Sequence, residues 1–143
     1  MQLVDERIVG KMPKSLSFGE AAALPLTSLT AWEMLFDRLE VTKQDKDKSI
    51  LVIGAAGGVG SIMVQLLKQL TQLNIIASAS RPETTSLLKE LGVDHVVNHR
   101  NKLSDEFSDQ KLPPVDYVVS LNNTDSHLLE IEKVIRICPL GLS

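Results

Sequence analysis

The chain has 143 residues, 43% of them hydrophobic and 23% charged, and a formal net charge of −3. That length suits one domain with one core, and the slightly acidic balance provides no field favouring nucleic acid or an anionic membrane. The single cysteine, Cys138, excludes an internal disulfide and a cysteine-rich zinc site. Between Ile137 and Pro139 it reads as a buried structural thiol. No apolar run reaches membrane-spanning length, and MQLVDERIVG lacks the regions of a signal peptide. The expectation is a cytoplasmic protein.

In chain order, DERIVG reads as a short strand. SLSFGEAAAL then carries a capping box, Ser17 with Glu20, that opens a helix which Pro25 interrupts. Thr27 or Ser28 is the expected cap of a second helix, in which Leu29, Trp32, Leu35, Phe36 and Leu39 recur at helical spacing. Trp32 is expected in the core. The mixed-charge TKQDKDKS is a solvated connection.

From residue 49 strands and helices alternate. Residues 49–54 form an apolar run short enough for a buried parallel strand. An amphipathic helix is expected over 61–73, with Ile62, Met63, Leu66, Leu67, Leu70 and Leu73 on one stripe. A second strand covers 74–80. A helix capped by Ser80 and Glu83 follows, ending at Gly92. A third strand spans 95–99, a helical turn 103–107, a fourth strand 115–121 and a last helix 126–134. This order implies right-handed βαβ units. The fold class is therefore α/β: a Rossmann-type, doubly wound, mostly parallel sheet with helices on both faces. Residues 1–45 form a helical lead-in and 46–143 the βαβ units. The end at PLGLS suggests a domain cut short of its last strands.

The most informative stretch is ILVIGAAGGVGSI at 50–62. A glycine cluster between an apolar strand and an amphipathic helix marks a site where a dinucleotide pyrophosphate meets unpaired helix amides and the positive end of the helix dipole. Gly57, Gly58 and Gly60 fit the turn, the close approach and the helix–strand packing. Ala55 stands where the strict motif has its first glycine, and the amides from Gly57 through Val59 and Gly60 to Ser61 are the expected seat. A Walker-type loop is disfavoured because Gly60 is followed by Ser61 and Ile62, not Lys and Ser/Thr. The Gly54, Gly58, Gly60 spacing also suits short-chain dehydrogenases. Their tyrosine–lysine pair is missing, since Leu121 lies four residues after Tyr117.

Where NAD enzymes place an acid at the end of the second strand, this chain has Ala79, then Ser80 and Arg81. A hydroxyl and a guanidinium suit a 2′-phosphate, so NADP(H) is expected over NAD(H).

The blocks AAALPLTSLTAWEML, LVIGAAGGVGS, SASRPET, LKELGVDHVVNH and VDYVVSLNNTD, in this order, resemble the medium-chain dehydrogenase/reductases. The likeness is to their quinone-oxidoreductase and zinc-type alcohol-dehydrogenase-like branch. The resemblance implies a cofactor domain beside a GroES-like catalytic domain, reducing quinones, enones or related carbonyl compounds with NADPH. It implies Thr30 near the nicotinamide, His99 close to the adenosine and Asn122 along the nicotinamide side. It also implies a small-molecule substrate bound through the missing catalytic domain, with homodimers formed through the last strand. No catalytic residue and no zinc ligand is expected within this chain, because its three histidines show no ligand spacing. The alternative from the fold alone is a non-enzymatic NADP(H)-binding sensor or interaction module.

Overall fold

The computed structural model describes residues 3–122 and 124–136. Cys138 and the expected strand after the last helix lie outside them. Four strands form the sheet: β1 (Ser49–Ile53), β2 (Asn74–Ser78), β3 (His95–Val97) and β4 (Tyr117–Ser120). They are parallel throughout, in the order β3-β2-β1-β4. Strand order thus reverses between β1 and β4, and a crevice opens at their carboxyl ends.

Alternation of side chains decides the two faces. On one, Ile50, Val52, Ile75, Ala77 and Val119 join Met63, Val64 and Leu67 of α3 (Gly58–Leu70) and Leu88 of α4 (Pro82–Glu90). On the other, Leu51, Ile53, Ile76 and Val97 pack with Leu103 and Phe107 of α5 (Leu103–Asp109) and Ile131 and Val134 of α6 (Thr124–Val134). β1 is buried along its whole length, as a strand covered by helices on both faces must be. Each fully buried Leu or Ile contributes about 1.5–3 kcal/mol of transfer free energy.

The lead-in departs from the sequence expectation. DERIVG forms a 3-10 turn, Glu6–Ile8, held by Asp5 accepting the Arg7 amide, and not a strand. The Ser17–Glu20 capping box is present and opens α1 (Phe18–Ala22). The second helix, α2 (Leu24–Trp32), starts earlier than expected, with Pro25 in its first turn. Neither Thr27 nor Ser28 caps it. The Thr27 hydroxyl bonds back to the carbonyls of Ala23 and Leu24 instead. A π-helical segment, Glu33–Arg38, continues α2 and turns Leu35 into the core. Trp32 stays 48% exposed, tilted on Phe36 at 4.6 Å, because the inward-facing residue of this turn is the small Ala31. α2 is apolar nearly all round, so spacing alone could not choose its buried side.

The helix after β2 also differs. Arg81, not Ser80, is its N-cap residue, and no side chain caps it. Strand limits are shorter than expected: β3 ends at Val97 and β4 starts at Tyr117. At the outer edge, Gln110, the C-cap of α5, donates to the Val96 carbonyl and Glu106 accepts from the Asn98 amide. Side chains thus occupy hydrogen-bonding positions that another strand could otherwise use. Beside β4, Arg136 donates to the Val115 carbonyl at 2.7 Å, where the chain returns parallel to residue 115.

Candidate functional site

The crevice is built first by a turn. After β1 the backbone reverses at Gly54, whose φ of +82° is a conformation L side chains rarely adopt. A Cβ there would also lie 3.1 Å from Asn122 Oδ1, so the exit of β1 runs directly under the residue that follows β4. Ser78 of β2 secures the turn by accepting the Gly54 amide at 3.4 Å. The turn glycine is therefore Gly54, not one of the three assigned to the loop from sequence.

The other glycines answer separate demands. A Cβ on Gly60 would fall 2.5 Å from the Gly54 carbonyl and 2.6 Å from Ala55 Cα, so no side chain fits between α3 and the turn. A Cβ on Gly58 would lie 3.3 Å from the Thr27 methyl, so the bare backbone there permits the approach of α2. Gly57 caps α3 with an extended φ of −77°, and its Cβ would make only ordinary contact, 3.4 Å from the Gly54 carbonyl. Nothing inside the chain requires glycine at 57.

Hydrogen bonding narrows the expected seat of five amides to three. Gly57 donates to the Gly54 carbonyl at 3.1 Å and Ser61 to the Gly57 carbonyl at 2.8 Å. Gly58, Val59 and Gly60 are the first three residues of the 13-residue α3, and their amides donate to no protein group among the described residues. Unpaired first-turn amides at the positive end of a helix form an anion seat.

A cleft of about 250 Å³ runs from Gly54, Ala56 and Gly57, the turn just before this seat, across the end of β2; Gly58, Val59 and Gly60 themselves are not in its lining. Its walls bring together Gly57, Ser80, Arg81, His99 and Asn122, five of the residues chosen from sequence. The hydroxyls of Thr84 and Thr85 both donate to the Arg81 carbonyl, at 2.9 and 3.0 Å, and so fix the backbone that presents the guanidinium. No carboxylate lines the cleft. Ala79, at the place of the ribose-binding acid, is buried.

His99 sits in a turn that Asn98 and Glu106 hold. The Asn98 side chain accepts the Arg100 amide at 3.0 Å, and Glu106 accepts from the Asn98 amide and the Asn101 side chain. Burial first, and then the nearby His127 and Arg100, press the His99 imidazole below its usual pKa and favour the neutral ring.

Ala55 is fully buried beneath the loop and serves as packing. The Thr30 hydroxyl donates to the Leu26 carbonyl within α2 at 2.7 Å, and Thr30 does not line the cleft. Sequence reasoning missed Gly54, Ser78, Thr84 and His127. The signal for Ser78 was available: a hydroxyl at the end of an otherwise apolar strand needs a partner.

At least four other hollows among the described residues are larger. One of about 450 Å³ lies at the opposite end of the sheet, near Lys48, Lys68 and Asp94. There Lys48 pairs with Asp45 and Lys68 with Asp94. A groove of about 630 Å³ follows β3 and shares Ser80 and Arg81 with the cleft. Size therefore does not select the site; the unpaired amides and the cationic wall do. Among the described residues, no three His, Cys, Asp or Glu side chains converge as metal ligands, and no helix is long and apolar enough to cross a membrane.

A parallel sheet with this glycine turn at its switch point defines a Rossmann-type domain of the kind oxidoreductases use. Residues 58–134 match the family model described as zinc-binding dehydrogenase. The chain is 41% identical over 143 residues to the zinc-type alcohol dehydrogenase-like protein SAS2087 of Staphylococcus aureus (strain MSSA476), covering 98% of this chain and 42% of that protein. It is 34% identical over 107 residues to the chloroplastic NADPH-dependent alkenal/one oxidoreductase of Arabidopsis thaliana, covering 75% of this chain and 27% of that protein. The crystal structure of a protein from Rhizobium etli CFN 42, described as a zinc-dependent alcohol dehydrogenase, superposes with a TM-score of 0.83 at 48% identity. That match covers 94% of this chain and 40% of the other. The chain belongs to the zinc-binding dehydrogenase family, within the medium-chain dehydrogenase/reductases, and spans about two fifths of the S. aureus relative.

Proposed function

We propose that this chain binds NADP(H) for a reductase acting on quinones, enones or related carbonyl compounds. The observation that carries the reading is the cleft itself. It runs from Gly57, the residue just before three unpaired amides at the start of α3, to Arg81 after β2, with no carboxylate in its lining. A pyrophosphate fits the amides of Gly58, Val59 and Gly60. A 2′-phosphate fits Ser80 and Arg81, where charge-assisted hydrogen bonds to a guanidinium are strong. The A. thaliana relative, named for NADPH and for alkenals and enones, supports both the cofactor and the substrate class.

When bound, the nicotinamide supplies or accepts the hydride, and the protein contributes position and electrostatics. Gly54 and Gly60 let the backbone come close, Asn122 borders the crevice on the β4 side, and Arg81 holds the adenosine end. Substrate contacts come from sequence beyond this chain. Fluorescence titration tests the reading: NADPH should bind saturably and be displaced better by 2′-phosphorylated ADP-ribose than by ADP-ribose. Equal displacement by the two would contradict the NADP(H) assignment. Rapid quinone reduction by this chain alone would contradict the division of labour.

A further inference from the structure

His99 is the one cleft residue whose chemistry the preceding reading leaves unused. Its Nδ1 is buried without a hydrogen-bond partner. With the proton of the neutral ring on Nε2, Nδ1 is an acceptor without a partner; a proton there needs an anion in the cleft to accept from it. The imidazole of His127, on α6, stands edge-on to it with ring centroids 6.2 Å apart. The groups that oppose a proton on His99 are basic side chains. Arg100 acts from its own turn and His127 from α6, while Arg81 shares the cleft wall from the turn before α4. The carboxylates of the neighbouring elements are Glu106, whose oxygens accept from the Asn98 amide and the Asn101 side chain, and Asp125 in the first turn of α6; neither is among the groups that act on this ring.

A phosphomonoester beside Arg81 reverses that balance. It brings up to two negative charges into a cleft without a carboxylate, and an anion close to an imidazole favours its charged form. We propose that the His99 imidazole, backed by His127, takes up a proton from solvent when a 2′-phosphorylated dinucleotide fills the cleft. Preference for the phosphorylated nucleotide then rises as pH falls. The inference rests on the NADP(H) reading of the cleft. The sign follows from linkage: the ring is neutral in the free protein and protonated in the complex. Binding therefore strengthens as pH drops through the bound-state value and levels off below the free-state value.

The test is isothermal titration calorimetry of the chain with NADPH and with NADH, in two buffers of different ionisation enthalpy. NADPH binding should consume a fraction of a proton near about pH 6.5, and NADH binding close to none. The NADPH/NADH affinity ratio should rise by up to about tenfold from about pH 8 to about pH 6. The nucleotide's own phosphate also titrates in this range, so the decisive quantity is the difference between wild type and His99→Gln. His99→Gln should lower both the uptake and the rise in ratio. His127→Gln, which removes a neighbour that opposes protonation in the free state, should lower the uptake to a smaller extent. NADPH binding with the same uptake in wild type and both variants overturns the histidine inference and leaves the nucleotide site standing. Absence of binding by either nucleotide at every pH overturns the site itself.

Discussion

At the amino ends of the strands, Lys48 meets Asp45 at 2.8 Å, Lys68 meets Asp94 at 3.1 Å and Arg136 meets Asp116 at 3.4 Å. At the carboxyl ends, Arg81 has no ion pair among the described residues and lines a cleft without an acid that reaches Gly57, next to three unpaired helix amides. The two ends also treat the backbone differently. Asp94 accepts the Ile75 amide and Asp116 the Ser49 amide, so carboxylates at the amino end complete the sheet. At the other end comparable donors are left open. The comparison teaches that charge placement within a fold says more than its sum: a cation beside a carboxylate is structure, and a cation left without one, as Arg81 is among the described residues, is free to meet an anion. It also explains why Lys48, which pairs with Asp45 and donates to the Tyr117 hydroxyl at 3.1 Å, forms no active-site pair. Those two residues sit at the wrong end of the sheet.

Substitutions at each end should separate these roles. Gly60→Val gives the largest effect. Its Cβ would lie 2.5–2.7 Å from the backbone of Gly54 and Ala55, so urea unfolding should show a loss of about 3 kcal/mol, with nucleotide binding lost alongside. Asp94→Ala, at the opposite end, removes the acceptor of a part-buried amide and the partner of Lys68. It should cost about 1–3 kcal/mol in the same measurement and leave the NADPH affinity unchanged. A large fall in affinity would mean that the two ends are coupled.

The smallest effect concerns the pairing of α5 with α6, outside both ends. Glu130 is held at about 2, below its ordinary 4.5, by Lys133 first and then by the amide and hydroxyl of Ser104. A depressed carboxyl contributes stability that is complete above its unfolded value and is lost as pH falls through its folded value. The contribution should therefore fade between 4.5 and about 2. Acid-unfolding curves of wild type and Glu130→Gln should differ above that window and converge below it; curves that coincide throughout would remove Glu130 from the account.

Much of this was legible in the sequence where one physical demand acted alone. The runs at 50–53 and 75–77 had to be strands covered on both faces, and Ser17 with Glu20 had to start a helix. Arg81 stood out because Ala79 precedes it where an acid would serve NAD. Reading failed where two demands competed. Thr27 has a cap's hydroxyl, but Pro25 already starts the helix, so the hydroxyl turns back to Ala23. Ser80 is likewise displaced as a cap because Pro82 can occupy the first helical turn after Arg81. Gly54 was assigned no part because the strand pattern ran through it, and only its left-handed φ shows it to be the turn. His127 lies 28 positions from His99, and no local pattern links them. Their meeting depends on α6 packing beside the turn after β3.

The central claim is that Arg81 gives the cleft its preference for a 2′-phosphate. The direct measurement is the ratio of NADPH to NADH affinity in wild type and in Arg81→Ala at one pH and salt concentration. Loss of a charged hydrogen bond to phosphate should lower the NADPH affinity by about tenfold or more, leave NADH binding and the unfolding midpoint unchanged, and bring the ratio towards one. Equal affinities in wild type, or a ratio that survives the substitution, would contradict the account.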